Sequence, residues 1–331
     1  MSIMEFEYFT GKNILITGGG GYIAQALIRL LQNVPCTISC LDKNLDVLKN
    51  YDKNNYPIII PIVGDIKNKS LWTDVLEKID IVFYFAAQTS VYVANTNPNA
   101  DIDINVLPIL NLLETCRKGK YIPNIIFAGT ATEVGLSDKI TIDEMQRDNP
   151  ITIYDIHKLT AEYYIKFYAR ESIIKGAILR LANVYGPGPL SSSAERGFLN
   201  QMIRKAIKNE PLTIYGEGNF IRDYIFITDV ARAFLLAASN IENTNQKHFY
   251  IGSGRGCTIA DAINLISERV AQLCGNKVPI VEIDYPTNLS PIEYRNFIAN
   301  TSRFSDATGW IPGVELTTGI DYTIQSFLNL R

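Results

Sequence analysis

Tyr154 and Lys158 stand four residues apart in Tyr154-Asp155-Ile156-His157-Lys158, a spacing that stacks both side chains on one face of a helix. An ammonium beside a phenol favours the phenolate, so the pair suits a tyrosine that moves protons at neutral pH. Thr130 follows the apolar run Asn124 to Ala128, where its hydroxyl can hold a substrate carbinol or carbonyl while Tyr154 moves the proton. These three are the catalytic candidates. A second feature is Thr17-Gly18-Gly19-Gly20-Gly21-Tyr22-Ile23-Ala24. Glycines let a strand-to-helix turn approach a pyrophosphate, whose charge the helix start stabilises. Gly18, Gly21 and Ala24 give the spacing G-x-x-G-x-x-A, and Tyr22 and Ile23 open the helix beside the cofactor. Asp42 ends the second strand, where an acid bonds a ribose 2′-hydroxyl. That acid favours NAD by repelling a 2′-phosphate, while Lys43 leaves NADP open. Asp65 and Ile66 end the third strand and are expected at the adenine. No Gly-Lys-Ser/Thr follows the glycines, so this is not a P-loop.

The elements that position these residues alternate. Strands are expected at Lys12 to Thr17, Thr37 to Leu41, Ile58 to Val63 (with Pro57 and Pro61 against it), Ile79 to Ala86, Asn124 to Ala128 and Ala177 to Leu181. Helical patterns fall at Tyr22 to Leu31, Leu71 to Lys78, Ile104 to Lys118 and Tyr154 to Glu171. Continuously apolar strands separated by helices imply a doubly wound parallel sheet of the α/β (Rossmann) class. Beyond Asn183 the alternation loosens into a long loop around Pro187 to Ser193, then helices at Gly197 to Lys208, Thr228 to Ser239 and Ile259 to Gln272. Residues 1–183 are therefore expected to bind the dinucleotide, with the sheet also recruiting parts of 220–250. Residues 184–331 form a smaller substrate-binding region.

Composition excludes other classes. With 47% apolar residues in a chain of 331, the protein supports a real core. Its 31 basic and 34 acidic residues, without a basic run, give no footprint for nucleic acid. The apolar run Ile81 to Ala87 is too short to span a membrane. Two histidines exclude a histidine-rich metal site, and no metal is expected. Five cysteines without a C-x-x-C pair point to a reduced, cytoplasmic setting.

The order of motifs resembles the extended short-chain dehydrogenase/reductases, and within them the nucleotide-sugar epimerases, dehydratases and ketoreductases. It runs from the glycine turn, Asp42 and Asp65 to Ala86-Ala87-Gln88, Asn105, Thr130 and Tyr154…Lys158. It continues through Arg180 to Pro187, Leu212 to Gly218, Arg222 to Phe226 and Phe304 to Trp310. The resemblance implies NAD(P) along the strand ends, contacted also by Ala86, Ala87, Gln88 and Asn105, with Lys158 on the nicotinamide ribose. It implies a dTDP-, UDP-, GDP- or CDP-hexose as substrate. Arg222 would meet the diphosphate, and Asn183 and Asn200 the diphosphate or sugar. Thr89 and Ser90 would meet the hexose, with Thr132, Arg196 and Arg295 also on the substrate. A homodimer pairing Ile104 to Lys118 with Tyr154 to Glu171 is implied too.

The reaction is read from departures. Where 4,6-dehydratases follow the threonine with Asp-Glu, this chain has Ala131 and Thr132, and a one-residue shift supplies only Glu133. Dehydration therefore ranks third. A 4-ketoreductase acting on an NDP-4-keto-6-deoxyhexose, in deoxysugar synthesis for surface polysaccharide such as O-antigen, ranks first. A 4-epimerase is the alternative, supported by Thr130-Ala131-Thr132. An idle nucleotide-sugar binder or redox sensor is the non-enzymatic alternative. Pro108 replaces a usual glycine.

Overall fold

The computed structural model describes residues 3–49, 51, 55–189 and 197–329. Seven parallel strands make the central sheet: β1 (Asn13–Thr17), β2 (Thr37–Asp42), β3 (Ile58–Val63), β4 (Ile81–Tyr84), β5 (Asn124–Thr130), β6 (Lys175–Leu181) and β7 (His248–Ile251). Their spatial order is β3-β2-β1-β4-β5-β6-β7. The register runs Ile14 opposite Ile38 and Ile81, and Ile126 opposite Phe83 and Ala177. The reversal between β1 and β4 is the switch point where ligands bind at the carboxyl ends of such sheets. The seventh strand is drawn from the C-terminal half of the chain.

Period-two alternation divides the buried side chains between two faces. Ile14, Ile16, Ile38, Phe83, Ile126 and Leu179 pack on one side, under α1 (Tyr22–Leu30) and a later helix over Ile227–Ser239. Leu15, Leu41, Val82, Phe127 and Ile178 pack on the other, under helices over residues 69–75, 107–119 and 153–170. Both faces are dry over the inner strands, which explains why those read as unbroken apolar runs, while the edge strand β3 is largely exposed. Pro61 is accommodated because β3 is the edge strand, where a missing N–H costs no ladder bond.

Several boundaries move. The expected strand Ile79 to Ala86 shortens to β4, because Phe85 onward leaves the sheet as a loop. The second helix, α2 (Lys69–Val75), starts earlier than Leu71, since the Asn68 side chain caps it by accepting from the Ser70 amide at 3.1 Å. After α3 (Val91–Thr96), the single helix expected over Ile104 to Lys118 is two. They are α4 (Pro98–Asn105) and α5 (Leu107–Gly119), broken at Val106 with φ −120° and ψ −57°. Pro108 lies in the first turn of α5, where its missing N–H is harmless. That accounts for a proline in place of the glycine. Next comes α6 (Ile153–Arg170), with Thr152 as its cap.

The C-terminal region adds α7 (Phe198–Ile207) and α8 (Ile227–Ser239), then helices Ile259–Cys274 and Leu316–Asn329. A small sheet pairs Asn183–Tyr185 and Gly256–Thr258 on either side of Ile221–Phe226. Asp223 is buried there and holds this layer together, accepting from the amides of Ser253, Gly254 and Ala299 at 2.7–3.0 Å. Among the described residues, no helix is long and apolar enough to cross a membrane.

Candidate active site

The glycine turn is built by the close approach of three segments. Gly18 has φ +69°, and a Cβ there would lie 3.0 Å from the Ala86 amide nitrogen. At Gly20 it would lie 2.5 Å from the Asn44 carbonyl. Only glycine satisfies both the left-handed backbone and the contact. The first turn of α1 has neither a side-chain cap nor an acidic residue, so its amides remain for an anion. Asp42 braces the turn, accepting from the Gly20 amide at 3.0 Å and from the Lys43 amide at 2.7 Å. A carboxylate has acceptor sites beyond these two for a ribose diol. The Lys43 ammonium pairs with Asp65 at 3.1 Å, which draws it away from a 2′-phosphate and fits NAD. Ile66 is buried, with its carbonyl accepting from the Trp72 indole at 3.1 Å. A dinucleotide fits this cradle.

Thr17 Oγ accepts from the Phe85 and Ala86 amides at 3.2 Å, tying the turn to the loop after β4. That loop is clamped from α4. The Asn105 side chain accepts from the Gln88 amide at 3.1 Å and donates to the Gln88 carbonyl at 3.0 Å. Asp101, fully buried, accepts from the Gln88 and Asn105 side chains at 2.7 and 3.0 Å and contacts His157 Nδ1 at 2.6 Å. Asn105 therefore shapes the Ala86-Ala87-Gln88 loop rather than reaching out of it, and the loop is anchored to α6 one residue from Lys158. Ser90 caps α3, accepting from the Val93 amide at 3.1 Å, with Thr89 just before it.

Tyr154 and Lys158 are both buried on α6, each 3% exposed. The Lys158 ammonium donates to the Ala128 carbonyl at 2.6 Å and lies 3.9 Å from the Phe127 ring centroid. This pins α6 against β5, whose last residue is Thr130. A hydroxyl chain closes the corner: Thr130 Oγ is 2.8 Å from Thr132 Oγ, and Thr132 donates to Asp155, the residue after Tyr154, at 2.5 Å. Thr132, expected on the substrate, links Thr130 at the end of β5 to Asp155 on α6.

Behind that corner lies a buried ionic cluster. Arg180 on β6, fully buried, makes bidentate contacts to Glu162 at 2.9–3.0 Å and to Asp148 at 2.5–2.9 Å. Its Nε is also 3.0 Å from Glu133. The Glu133 carboxylate caps its own turn by accepting from the Thr130 amide at 3.0 Å. Burial, and then neighbouring Glu162, holds Glu133 well above the usual carboxylate range. Burial opposes ionisation of Glu162 too, but Arg180 and Lys166 outweigh it and pull that carboxyl down to about 2. Burial lowers His248 to about 4, leaving it neutral beside Lys166 at 2.6 Å. Arg180 and Lys166 thus face the carboxyls of Glu162, Glu133 and Asp148 in one cluster. It fixes the end of β5 relative to α6. Glu133 is fully buried with its carboxyl turned to Arg180, so it supplies no extra acid to a substrate.

The remaining substrate candidates divide. Arg222 is 3% exposed and donates to the carbonyls of Ile221 at 3.2 Å, Glu293 at 2.7 Å and Arg295. Rather than pairing with its neighbour Asp223, it clasps the segment 291–295, where Arg295 donates to the Ile292 carbonyl at 3.0 Å. Asn183 is half-buried on the strand beside Tyr224. Asn200 and Tyr22 meet: Tyr22 donates to the Gly186 carbonyl at 2.6 Å, and Asn200 donates to Tyr22 at 3.2 Å and accepts from the Gly186 amide at 3.0 Å. Arg196 lies outside the described residues. Asp155, Arg180 and the Asp101–His157 pair were not among the candidates, and Glu133 entered only as a displaced dehydratase acid. The signal for Asp155 was its place directly after Tyr154; the others depend on contacts distant in sequence.

Among the described residues, no group of three or more histidine, cysteine or acidic side chains is placed to hold a metal. The sequence pattern of the NAD dependent epimerase/dehydratase family matches residues 14–252. A relative from Methanocaldococcus jannaschii, provisionally named a UDP-glucose 4-epimerase, is 31% identical over 96% of this chain and 98% of its own length. The dTDP-4-dehydro-6-deoxyglucose reductase of Escherichia coli is 27% identical over 95% of this chain and 97% of its own. The crystal structure of the Thermotoga maritima UDP-glucose 4-epimerase with UDP-glucose matches with a TM-score of 0.84 at 29% identity, covering 96% of this chain and 99% of that one. With the glycine cradle, the sheet order and this match in agreement, the chain belongs to the NAD-dependent epimerase/dehydratase family of extended short-chain dehydrogenases, and its cofactor is NAD.

Proposed function

We propose that this protein is a UDP-hexose 4-epimerase, inverting C4 of the sugar through a transient 4-ketone. NAD, when bound, would supply a hydride acceptor and donor at C4. Tyr154 takes the proton from the C4 hydroxyl and gives it back. Lys158, anchored on the Ala128 carbonyl, stabilises the phenolate electrostatically, and Thr130 orients the reacting oxygen. Glycines 18 and 21 with Tyr22 and Ile23 would hold the pyrophosphate, Asp42 and Lys43 the ribose side, and Asp65 and Ile66 the adenine. Residues 1–183 would carry the cofactor and 184–331 most of the nucleotide-sugar contacts.

The observation that carries this reading is the latch of Tyr22, Gly186 and Asn200 across the glycine turn. It ties the pyrophosphate cradle to the loop leading into the C-terminal layer. An enzyme that removes and restores one hydride in each cycle works with a retained cofactor, and the latch opposes release. Tyr22→Phe removes the bond to Gly186, so NAD should dissociate about tenfold faster, a loss of ~1.4 kcal/mol. Release followed by fluorescence or by dialysis of the holoenzyme reads this, and an unchanged rate counts against the latch.

The 27% identity to a 4-keto sugar reductase favours a second reading, reduction of an NDP-4-keto-6-deoxyhexose by NADH. Dehydration is the weakest reading, because Glu133 is occupied by Arg180. The two leading chemistries separate in one assay. An epimerase interconverts UDP-glucose and UDP-galactose with no net change in near-ultraviolet absorbance. A reductase consumes NADH in step with a 4-keto sugar.

We also propose a homodimer through α5 and α6. Leu107, Ile156, Tyr163 and Phe167 are 43–58% exposed on these two helices, more apolar surface than a solvated face needs. Light scattering at micromolar concentration should give twice the chain mass; the monomer mass would contradict it.

A further inference from the structure

Helix α4 is held in place by polar bonds. Its two buried residues, Asp101 and Asn105, are four apart and share one face, and the break at Val106 separates the helix from α5. Backbone partners fix the orientation of each amide on that face. The Asn105 oxygen takes the Gln88 amide, so its nitrogen is the donor to the Gln88 carbonyl and to Asp101 Oδ1. The Gln88 side-chain oxygen takes the Ser90 amide, so its nitrogen donates to the Ser90 carbonyl at 2.8 Å and to Asp101 Oδ1 at 2.7 Å. Oδ1 is thus filled from the loop side. Oδ2 is left for His157 Nδ1 at 2.6 Å, a bond that closes whichever atom carries its proton. His157 is largely buried, three residues after Tyr154 and directly before Lys158. One buried carboxyl therefore joins the loop after β4 to α6.

We propose that Asp101 and His157 are positioning residues that hold the loop 85–88 at a set distance from α6 and so keep the NAD cradle closed on its cofactor. The loop leaves β4 at the switch point beside β1, where ligands of such sheets bind. It is one wall of the cradle: a Cβ on Gly18 would lie 3.0 Å from the Ala86 nitrogen, and Thr17 Oγ holds the amides of Phe85 and Ala86. The other end of the loop, at Gln88, is held by α4, and α4 is held to α6 by the Asp101–His157 bond. Asn95 adds a tie from α3, accepting the Ile153 amide at 3.0 Å, but it is exposed and does not reach the loop. Cutting the bond at His157 leaves Asp101 joined to Gln88 and Asn105, so loop and helix move as one body and the wall loosens without unfolding. The inference concerns the cofactor alone and is independent of which sugar reaction the enzyme performs.

The test is the rate at which the holoenzyme loses NAD on dilution, read by protein fluorescence beside the thermal midpoint of each variant. His157→Ala should release NAD about tenfold faster. His157→Asn, whose side-chain nitrogen takes the place of Nδ1 and donates to Oδ2, should bring the rate within about threefold of wild type. Gln88→Ala loosens the same wall from the loop side and should also quicken release. Because both changes act through Asp101, the double variant should be within about threefold of the faster single one, where independent effects would multiply. A wild-type release rate in His157→Ala, even with a lowered midpoint, overturns the proposal and leaves the pair a purely structural role. Equal quickening by alanine and asparagine at position 157 overturns it as well, and so do effects that multiply in the double variant.

Discussion

Tyr154→Phe should lower turnover by about 10³-fold, within the ~10²–10⁴ range expected for a positioned acid–base group. The phenolic hydroxyl is the only part lost, and the ring sits on a buried helix face with 3% exposure, so packing survives. Lys158 keeps its bond to the Ala128 carbonyl and its place over Phe127, so the cofactor side of the site is left in order. The expected pattern is therefore a collapse of kcat with KM for the nucleotide sugar within about threefold and NAD still bound, the signature of an interaction made chiefly in the transition state. Steady-state kinetics beside a measurement of bound NAD check it. Turnover within tenfold of wild type would exclude Tyr154 as the proton carrier. A Tyr154→Phe protein that binds sugar, together with an inactive wild type, would support an idle nucleotide-sugar binder instead.

Arg180→Leu should produce the largest loss of stability. Arg180 and the two glutamates it meets, Glu133 and Glu162, are fully buried, and Asp148 is nearly so. Removing the cation leaves the carboxyls of Glu162, Glu133 and Asp148 without the guanidinium that joins them, while Lys166 still pairs with Glu162. Breaking such a buried network by deleting one partner costs about 3–5 kcal/mol. Chemical denaturation should show the midpoint falling with an unchanged slope. Activity in the folded fraction should fall as well, because Glu133 holds the Thr130 amide and Glu162 lies on the helix of Tyr154. A loss below about 1 kcal/mol would mean that water or rearrangement satisfies the carboxylates.

What was legible in the sequence divides along a physical line. The six strands of the first half and the glycine turn were readable because they depend on local pattern: apolar runs for strands buried on both faces, and glycines for a backbone with φ +69°. The family and its cofactor were readable from the order of motifs. The break at Val106 was hidden, because Ile104 to Lys118 keeps helical spacing on both sides of it. Pro108 marked the spot but reads equally as a first-turn residue. The seventh strand, His248–Ile251, was anticipated only as a recruitment from 220–250, since four residues carry little periodicity.

At the site, residues that act through their own motif were nameable, and residues that act through distant partners were not. Glu133 is a fair example. By spacing it resembled a displaced dehydratase acid; in the fold its carboxyl meets Arg180, brought there by the pairing of β5 with β6. Arg222 is another: the sequence suggested a diphosphate contact, and the fold has it clasping the carbonyls of segment 291–295. The ranking of reactions shifts for the same reason. The sequence placed reduction ahead of epimerisation, whereas the latch across the glycine turn and the similarity to 4-epimerases over nearly the whole chain support epimerisation.

The most direct measurement uses UDP-glucose carrying deuterium on C4, incubated with the enzyme and its bound NAD and followed by NMR and mass spectrometry. The account predicts UDP-galactose that retains the deuterium on C4, because the hydride that leaves is the one that returns. Inversion with loss of deuterium to solvent, or no inversion at all while NADH is consumed against a 4-keto sugar, would contradict it.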